Sequence, residues 1–128
     1  MKNNGRLAML AIDEAIHDLR AIESEAMDSL QPRCSFRGFI DLASALHSMH
    51  EQMPDLIIVG DLPRAGFAAS GLFNKLRDAG YTGPIAIVSR EAEQIRKSLP
   101  TGQSVIACLS KKEFSRGTFQ EIIKKVAV

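Results

Sequence analysis

Five side chains in this sequence have the types that handle a charged group, and each stands just past a short apolar run. Asp13 and Glu14 follow Leu7–Ile12, Asp61 comes two residues after Leu56–Val59, Ser89 ends Ile85–Val88, and Lys111 lies two residues beyond Val105–Leu109. Carboxylates can hold a hard cation, while a hydroxyl and an ammonium can offset the charge of an anion. Each residue also has a plainer use. Asp13 and Glu14 suit the first turn of a helix, where negative charge meets the positive end of the helix dipole. Asp61, between Gly60 and Pro63, suits a turn, and Lys111 suits an ion pair with Asp13 or Asp61.

The elements that must position these residues are legible. Leu56–Val59, four large aliphatic residues between Pro54 and Gly60, read as a strand buried on both faces. Leu7–Ile12, Ile85–Val88 and Val105–Leu109 read the same way, and Cys34–Phe39 supplies a fifth, weaker strand. Between them run helical patterns. Ala15, Ile16, Leu19, Ile22 and Ala26 make the first stripe; Leu42, Ala45, Leu46 and Met49 make the second, capped by Asp41 or Ser44 and stopped before Pro54. A third helix from about Ala68 to Asp78 buries Leu72, Phe73 and Leu76 and closes at Gly80. A short polar helix from Arg90 to Leu99 stops at Pro100, and the last, about Ser115 to Val126, turns Phe119, Ile122, Ile123 and Val126 inward. Gln31-Pro32-Arg33 and the stretch from Gly60 to Gly66 are expected loops. The order is βαβαβαβαβα. Such alternation implies a parallel sheet with right-handed crossovers and helices on both faces, which brings the carboxyl ends of the strands, and the five side chains, to one crevice.

Composition narrows the classes. A chain of 128 residues is the size of one domain, expected to span residues 1–128. Sixteen Lys and Arg against fifteen Asp and Glu leave no overall field to recruit nucleic acid or an anionic membrane. The six small or apolar residues before Asp13 are too few for a secretory or membrane segment, and the two cysteines, Cys34 and Cys108, fit reduced thiols. A cytoplasmic location is expected. Cys108 reads as a small buried core residue, and His17, His47 and His50 as helix residues with no convincing third metal ligand. No Gly-rich phosphate loop follows the first strand.

The ordered set resembles the receiver (response-regulator) domain family of two-component signalling. The resemblance covers nearly the whole chain: a strand ending in an acidic pair, Ala45-Leu46 followed by Pro54-Asp55-Leu56-Ile57-Ile58, Pro84-Ile85-Ala86-Ile87-Val88-Ser89, and Cys108-Leu109-Ser110-Lys111. It implies a flavodoxin-like (CheY-like) doubly wound five-stranded parallel sheet, (βα)5. In the family the acidic pair holds Mg²⁺, an Asp ending the third strand accepts a phosphoryl group, the hydroxyl after the fourth moves to bind it, and the Lys after the fifth neutralises it. Carried over, Asp13, Glu14 and Asp61 would hold Mg²⁺, Asp61 would be the phosphoacceptor, and Ser89 and Lys111 would contact the phosphoryl group.

Several positions depart from that pattern. Counted from Pro54, the phosphoacceptor position is Gly60, and Asp61 lies one residue late, which on a strand aims its carboxylate away unless a bulge at Gly60 corrects it. Asp13 aligns with the second acid of the pair, leaving Ile12 in place of the first. Cys108 stands where the family commonly carries an aromatic. The expectation is a degenerate, or pseudo-, receiver: not an enzyme, without a cofactor, working in signal transduction through phosphorylation-independent protein–protein recognition. Its partner would be a separate protein or an output domain of a larger one. In the family the face built here from Glu91 to Leu99 and Val105 to Val128 often carries dimers or output, and its mixed charges, Arg90, Glu91, Glu93, Arg96 and Lys97, suit specific pairing, a homodimer included. The alternative is a phosphorylatable receiver using Asp61 with Mg²⁺.

Overall fold

The computed structural model describes residues 7–30, 34–61, 69–99 and 105–127; the expected break at residues 31–33, the loop from Leu62 to Gly66, the helix start at Ala68 and the stop at Pro100 lie outside them. Five strands alternate with five helices: β1 (Leu7–Ile12), α1 (Ile16–Leu30), β2 (Cys34–Phe39), α2 (Leu42–Glu51), β3 (Leu56–Val59), α3 (Ala69–Asp78), β4 (Ile85–Ser89), α4 (Ala92–Ser98), β5 (Val105–Ser110) and α5 (Arg116–Ala127). All four strand pairings are parallel, and the sheet order is β2-β1-β3-β4-β5. The chain therefore winds outward in both directions from β1 and β3, and the crevice beyond their carboxyl ends is the topological switch point.

The apolar runs become central strands because both of their faces are covered. Alternate residues divide between two cores. Leu10, Ile12, Ile57, Val59, Ile85 and Ile87 join Ala45, Met49, Leu72, Phe73, Leu76 and Ile95 on the side of α2, α3 and α4. Met9, Ala11, Leu56, Ile58, Ala86 and Val88 join Leu19, Ile22, Ala26, Phe119 and Ile122 on the side of α1 and α5. All four β3 side chains are fully buried, and each contributes about 2 kcal/mol through removal from water.

Helix ends follow local chemistry. Asp41 caps α2, its carboxylate accepting from the Ser44 amide at 2.7 Å. At the end of α3, Gly80 takes φ 96°, the Gly80 amide donates to the Arg77 carbonyl and the Tyr81 amide to that of Leu76, so two carbonyls that the helix leaves open are satisfied. Tyr81, 1% exposed, donates its hydroxyl to the Pro84 carbonyl and seals the turn into β4; burial, against the pull of Arg77, raises its pKa.

The outer strand β5 departs from the sequence reading. Its pairing with β4 shifts by one residue, from Ile85↔Val105 to Ala86↔Ala107, so Ile106 is an extra residue in the ladder. Ile106 and Ala107 consequently pack on the same core, and all six β5 residues are half-buried. Cys108 is among them, packing against the α4 side with its Sγ 3.5 Å from the Ala92 carbonyl, so it is a half-buried flank residue and not a fully buried one. Burial, against the pull of Arg96, holds its thiol above the ordinary range, as an unreactive cysteine requires.

Candidate functional site

The crevice at the switch point is built from residues just past four strands. Asp13 follows β1 and is fully buried. Its Oδ1 accepts from the Ala15 amide at 2.8 Å, fixing the entry into α1, and its Oδ2 lies 2.7 Å from the Lys111 ammonium. That contact is ionic and off the hydrogen-bonding direction, because Oδ2 has no aligned donor. Gly60 follows β3, and its amide donates to the Ile12 carbonyl at 2.7 Å. A side chain at position 60 would begin inside Asp13: an ideal Cβ there lies 2.0 Å from Asp13 Oδ2 and 2.5 Å from its Cγ. The carboxylate of Asp13 thus fills the space into which a residue at the end of β3 would project.

Asp61 comes next. Its carbonyl accepts from the Glu14 amide at 2.9 Å, tying the β3 and β1 exits together. Its Oδ1 accepts from the Ser89 hydroxyl at 2.5 Å and the Arg90 amide at 3.3 Å; its Oδ2 meets Lys111 Nζ at 2.9 Å and Arg90 Nη1 at 3.1 Å. Burial works to raise its pKa, but the bonds from Ser89 and Lys111 win and hold the carboxyl below its ordinary value. Lys111 itself touches three carboxylates, those of Asp13 (2.7 Å), Asp18 (2.6 Å) and Asp61 (2.9 Å). Its burial favours the neutral amine, yet these three contacts outweigh burial and raise its pKa. Asp18 is lowered by its bond to Lys111, against its own burial, with further help from Arg90, whose Nη2 lies 2.7 Å from Asp18 Oδ2.

The structure therefore brings Asp13, Asp61, Ser89 and Lys111 together, and Lys111 pairs with both acids that the sequence offered it. Asp61 enters the crevice without a bulge in β3: the register with β1 and β4 is regular through Val59, and the strand ends there, so its alternation does not govern Asp61. Glu14 contributes its amide to the cluster, through Asp61. His17, His47 and His50 are exposed helix residues. Two members were missed. Asp18, on the first turn of α1, reaches the crevice through its carboxylate, which meets Lys111 and Arg90; in the sequence it stands four residues after Glu14. Arg90 was assigned to the outer face with α4; it turns back instead to bridge Asp18 and Asp61.

This arrangement does not fit the Mg²⁺ that the receiver resemblance implies. Of the three expected ligands, Asp13 and Asp61 already meet an ammonium or a guanidinium at 2.7 to 3.1 Å, as does Asp18 beside them at 2.6 and 2.7 Å. Among the described residues no three His, Cys, Asp or Glu side chains are placed to hold a metal ion. Beside the cluster a cavity of about 290 Å³ opens between α1 and the β5–α5 connection, with Ile22, Val88 and Phe114 on its apolar wall and Asp18, Glu25 and Lys111 on its polar one. Among the described residues no helix is long and apolar enough to cross a membrane.

No family model matches the chain, and no curated protein matches it. Solved structures do. The signal receiver domain of NarL from Mycobacterium tuberculosis superposes with a TM-score of 0.67 at 14% identity, covering 95% of this chain and 97% of that one. The C-terminus of Escherichia coli RcsC, containing a phosphoreceiver domain, gives 0.70 at 20% identity over 99% and 91%. The response regulator domain of Thermotoga maritima CheB gives 0.63 at 17% identity over 95% and 94%. At these identities the likeness is one of fold, and with strand order β2-β1-β3-β4-β5 and alternating helices the chain has the flavodoxin-like, CheY-like fold of response-regulator receiver domains.

Proposed function

We propose that this chain is a degenerate receiver: a signal-transduction module that works by protein–protein recognition and does not take up a phosphoryl group. The observation that carries the reading is the pair Gly60 and Asp13. The acceptor position at the end of β3 has no side chain, and the room for one is filled by a buried carboxylate with Oδ2 only 2.0 Å from where a Cβ would stand. Recognition in place of catalysis, and a cytoplasmic setting, belong to the same proposal. Support for an output face comes from α4, β5 and α5. The outward carbonyls of edge strand β5 are taken by cationic side chains, Cys108 by Arg96 and Ile106 by Lys125, and Arg96 also pairs with Glu113 at 3.2 Å. With two of its carbonyls covered the edge is disfavoured for strand addition, so a partner or second copy would read its side chains.

A second reading is favoured by Asp61, whose carboxylate sits in the crevice with Ser89 at 2.5 Å and Lys111 at 2.9 Å, the hydroxyl and ammonium that phosphoryl transfer to Asp61 would use. Incubation with acetyl phosphate and Mg²⁺, followed by intact-mass measurement, separates the two. The degenerate reading expects no added phosphoryl group. A phosphorylated species that disappears in Asp61→Asn would replace it with the second reading.

A further inference from the structure

Among the described residues the cluster joins three carboxylates, Asp13, Asp18 and Asp61, to two cations, Lys111 and Arg90, for a formal sum of −3 and +2, or −1. The two cations have different stations. Lys111 is 15% exposed and touches all three acids from inside; the Arg90 side chain is 62% exposed and lies across the mouth, with Nη2 on Asp18 Oδ2 and Nη1 on Asp61 Oδ2. A guanidinium suits this position because its planar fork presents two N–H groups to two separate carboxylates. It is also held in place by the chain. Its own amide and the preceding Ser89 hydroxyl donate to Asp61 Oδ1, so the guanidinium competes for the acids at the high local concentration of a short tether. A free Mg²⁺ ion must give up strongly held water to enter.

We propose that Arg90 is the resident counter-cation of this crevice and, with Lys111, closes it against divalent metal ions. The oxygens it covers are of the donor type that a hard cation takes. Without Arg90, Asp18 Oδ2 and Asp61 Oδ2 would each keep Lys111 as their one cationic partner, shared with Asp13 Oδ2, which is fully buried and without an aligned donor. Removal of Arg90 takes the local sum from −1 to −2. The same guanidinium ties α1, through Asp18, to the start of the β4–α4 connection, so the closure also fixes the entry to the helix on the proposed output face. The inference shares with the degenerate-receiver reading the premise that the crevice is filled from within; the two fail separately, because metal uptake is measured with no phosphoryl donor present.

The test is a Mn²⁺ titration of the whole chain, following paramagnetic broadening of the Asp13, Glu14, Gly60 and Asp61 amide signals, in wild type, Arg90→Ala and Arg90→Lys. Because Arg90 is mostly exposed its removal leaves the core intact, and the unchanged remainder of each amide spectrum verifies the fold. Wild type and Arg90→Lys, which keeps the charge, are expected to show no localised saturable broadening. Arg90→Ala is expected to show it, with affinity raised at least about tenfold. Localised saturable broadening in wild type equal to that in Arg90→Ala, no gain in Arg90→Ala, or an equal gain in Arg90→Lys would each overturn the proposal.

Discussion

At the scale of single residues, Gly60 and Lys111 decide the state of the crevice. Substitution Gly60→Ala puts a methyl group on the carboxylate of fully buried Asp13, so one of the two must shift. The expected cost is about 1–3 kcal/mol in urea unfolding, the usual range for overpacking. The double variant Gly60→Ala with Asp13→Gly should recover part of it, since the clash is with that one carboxylate. Lys111→Met leaves Asp13 buried with no counter-charge within 3 Å and should cost about 3 kcal/mol. The pH dependence has two flanks. Asp18 and Asp61 are depressed in the fold, so their contribution is complete above the unfolded carboxylate value of about 4 and is lost as pH falls through their folded values. Lys111 is raised, so its contribution is complete below the unfolded lysine value of about 10.4 and is lost as pH rises through its folded value. Thermal melts from pH 2 to 11 should therefore show a plateau in the difference between wild type and Lys111→Met, narrowing at both ends. A difference independent of pH would mean that the lysine stem, and not its charge, is what matters.

At the scale of elements, the outer strand makes a separate prediction. Arg96 donates through both Nε and Nη2 to the Cys108 carbonyl, and Lys125 covers that of Ile106. These exposed residues add little stability, but they occupy the outward edge of β5. Arg96→Ala combined with Lys125→Ala should leave the thermal midpoint nearly unchanged and produce concentration-dependent association in light scattering; a variant as monodisperse as wild type would show that the edge is protected by something else. The same strand shows where sequence reading stops. Val105–Leu109 announces a strand through its apolar content, but when nearly every residue is apolar an inserted residue changes no pattern, so the extra residue at Ile106 left no trace. Asp61 was placed by carrying strand alternation past Val59, where the strand ends. Arg90 is adjacent to a helix in sequence, and only the turn after β4 sends it back across the crevice.

At the scale of the whole molecule, the fold was legible because it follows from repetition. Short apolar runs alternating with amphipathic helices imply a parallel sheet covered by helices, and the division of Leu10 and Ile12 from Met9 and Ala11 between two cores is what a strand covered on both faces must do. The crevice was legible too, as the place where the strand ends meet. Its state was not, because that depends on which of several carboxylates each cation chooses, a matter of a few ångströms set by loops. Whether the crevice can take up a phosphoryl group is read by an amide NMR titration with Mg²⁺ and beryllofluoride, a mimic of a bound phosphoryl group, monitored at Asp13, Gly60, Asp61, Ser89 and Lys111. A crevice filled by Asp13 and held by Lys111 and Arg90 predicts no saturable shifts at these residues in a folded sample. Saturable shifts that vanish in Asp61→Asn would contradict it and identify a working phosphoryl switch.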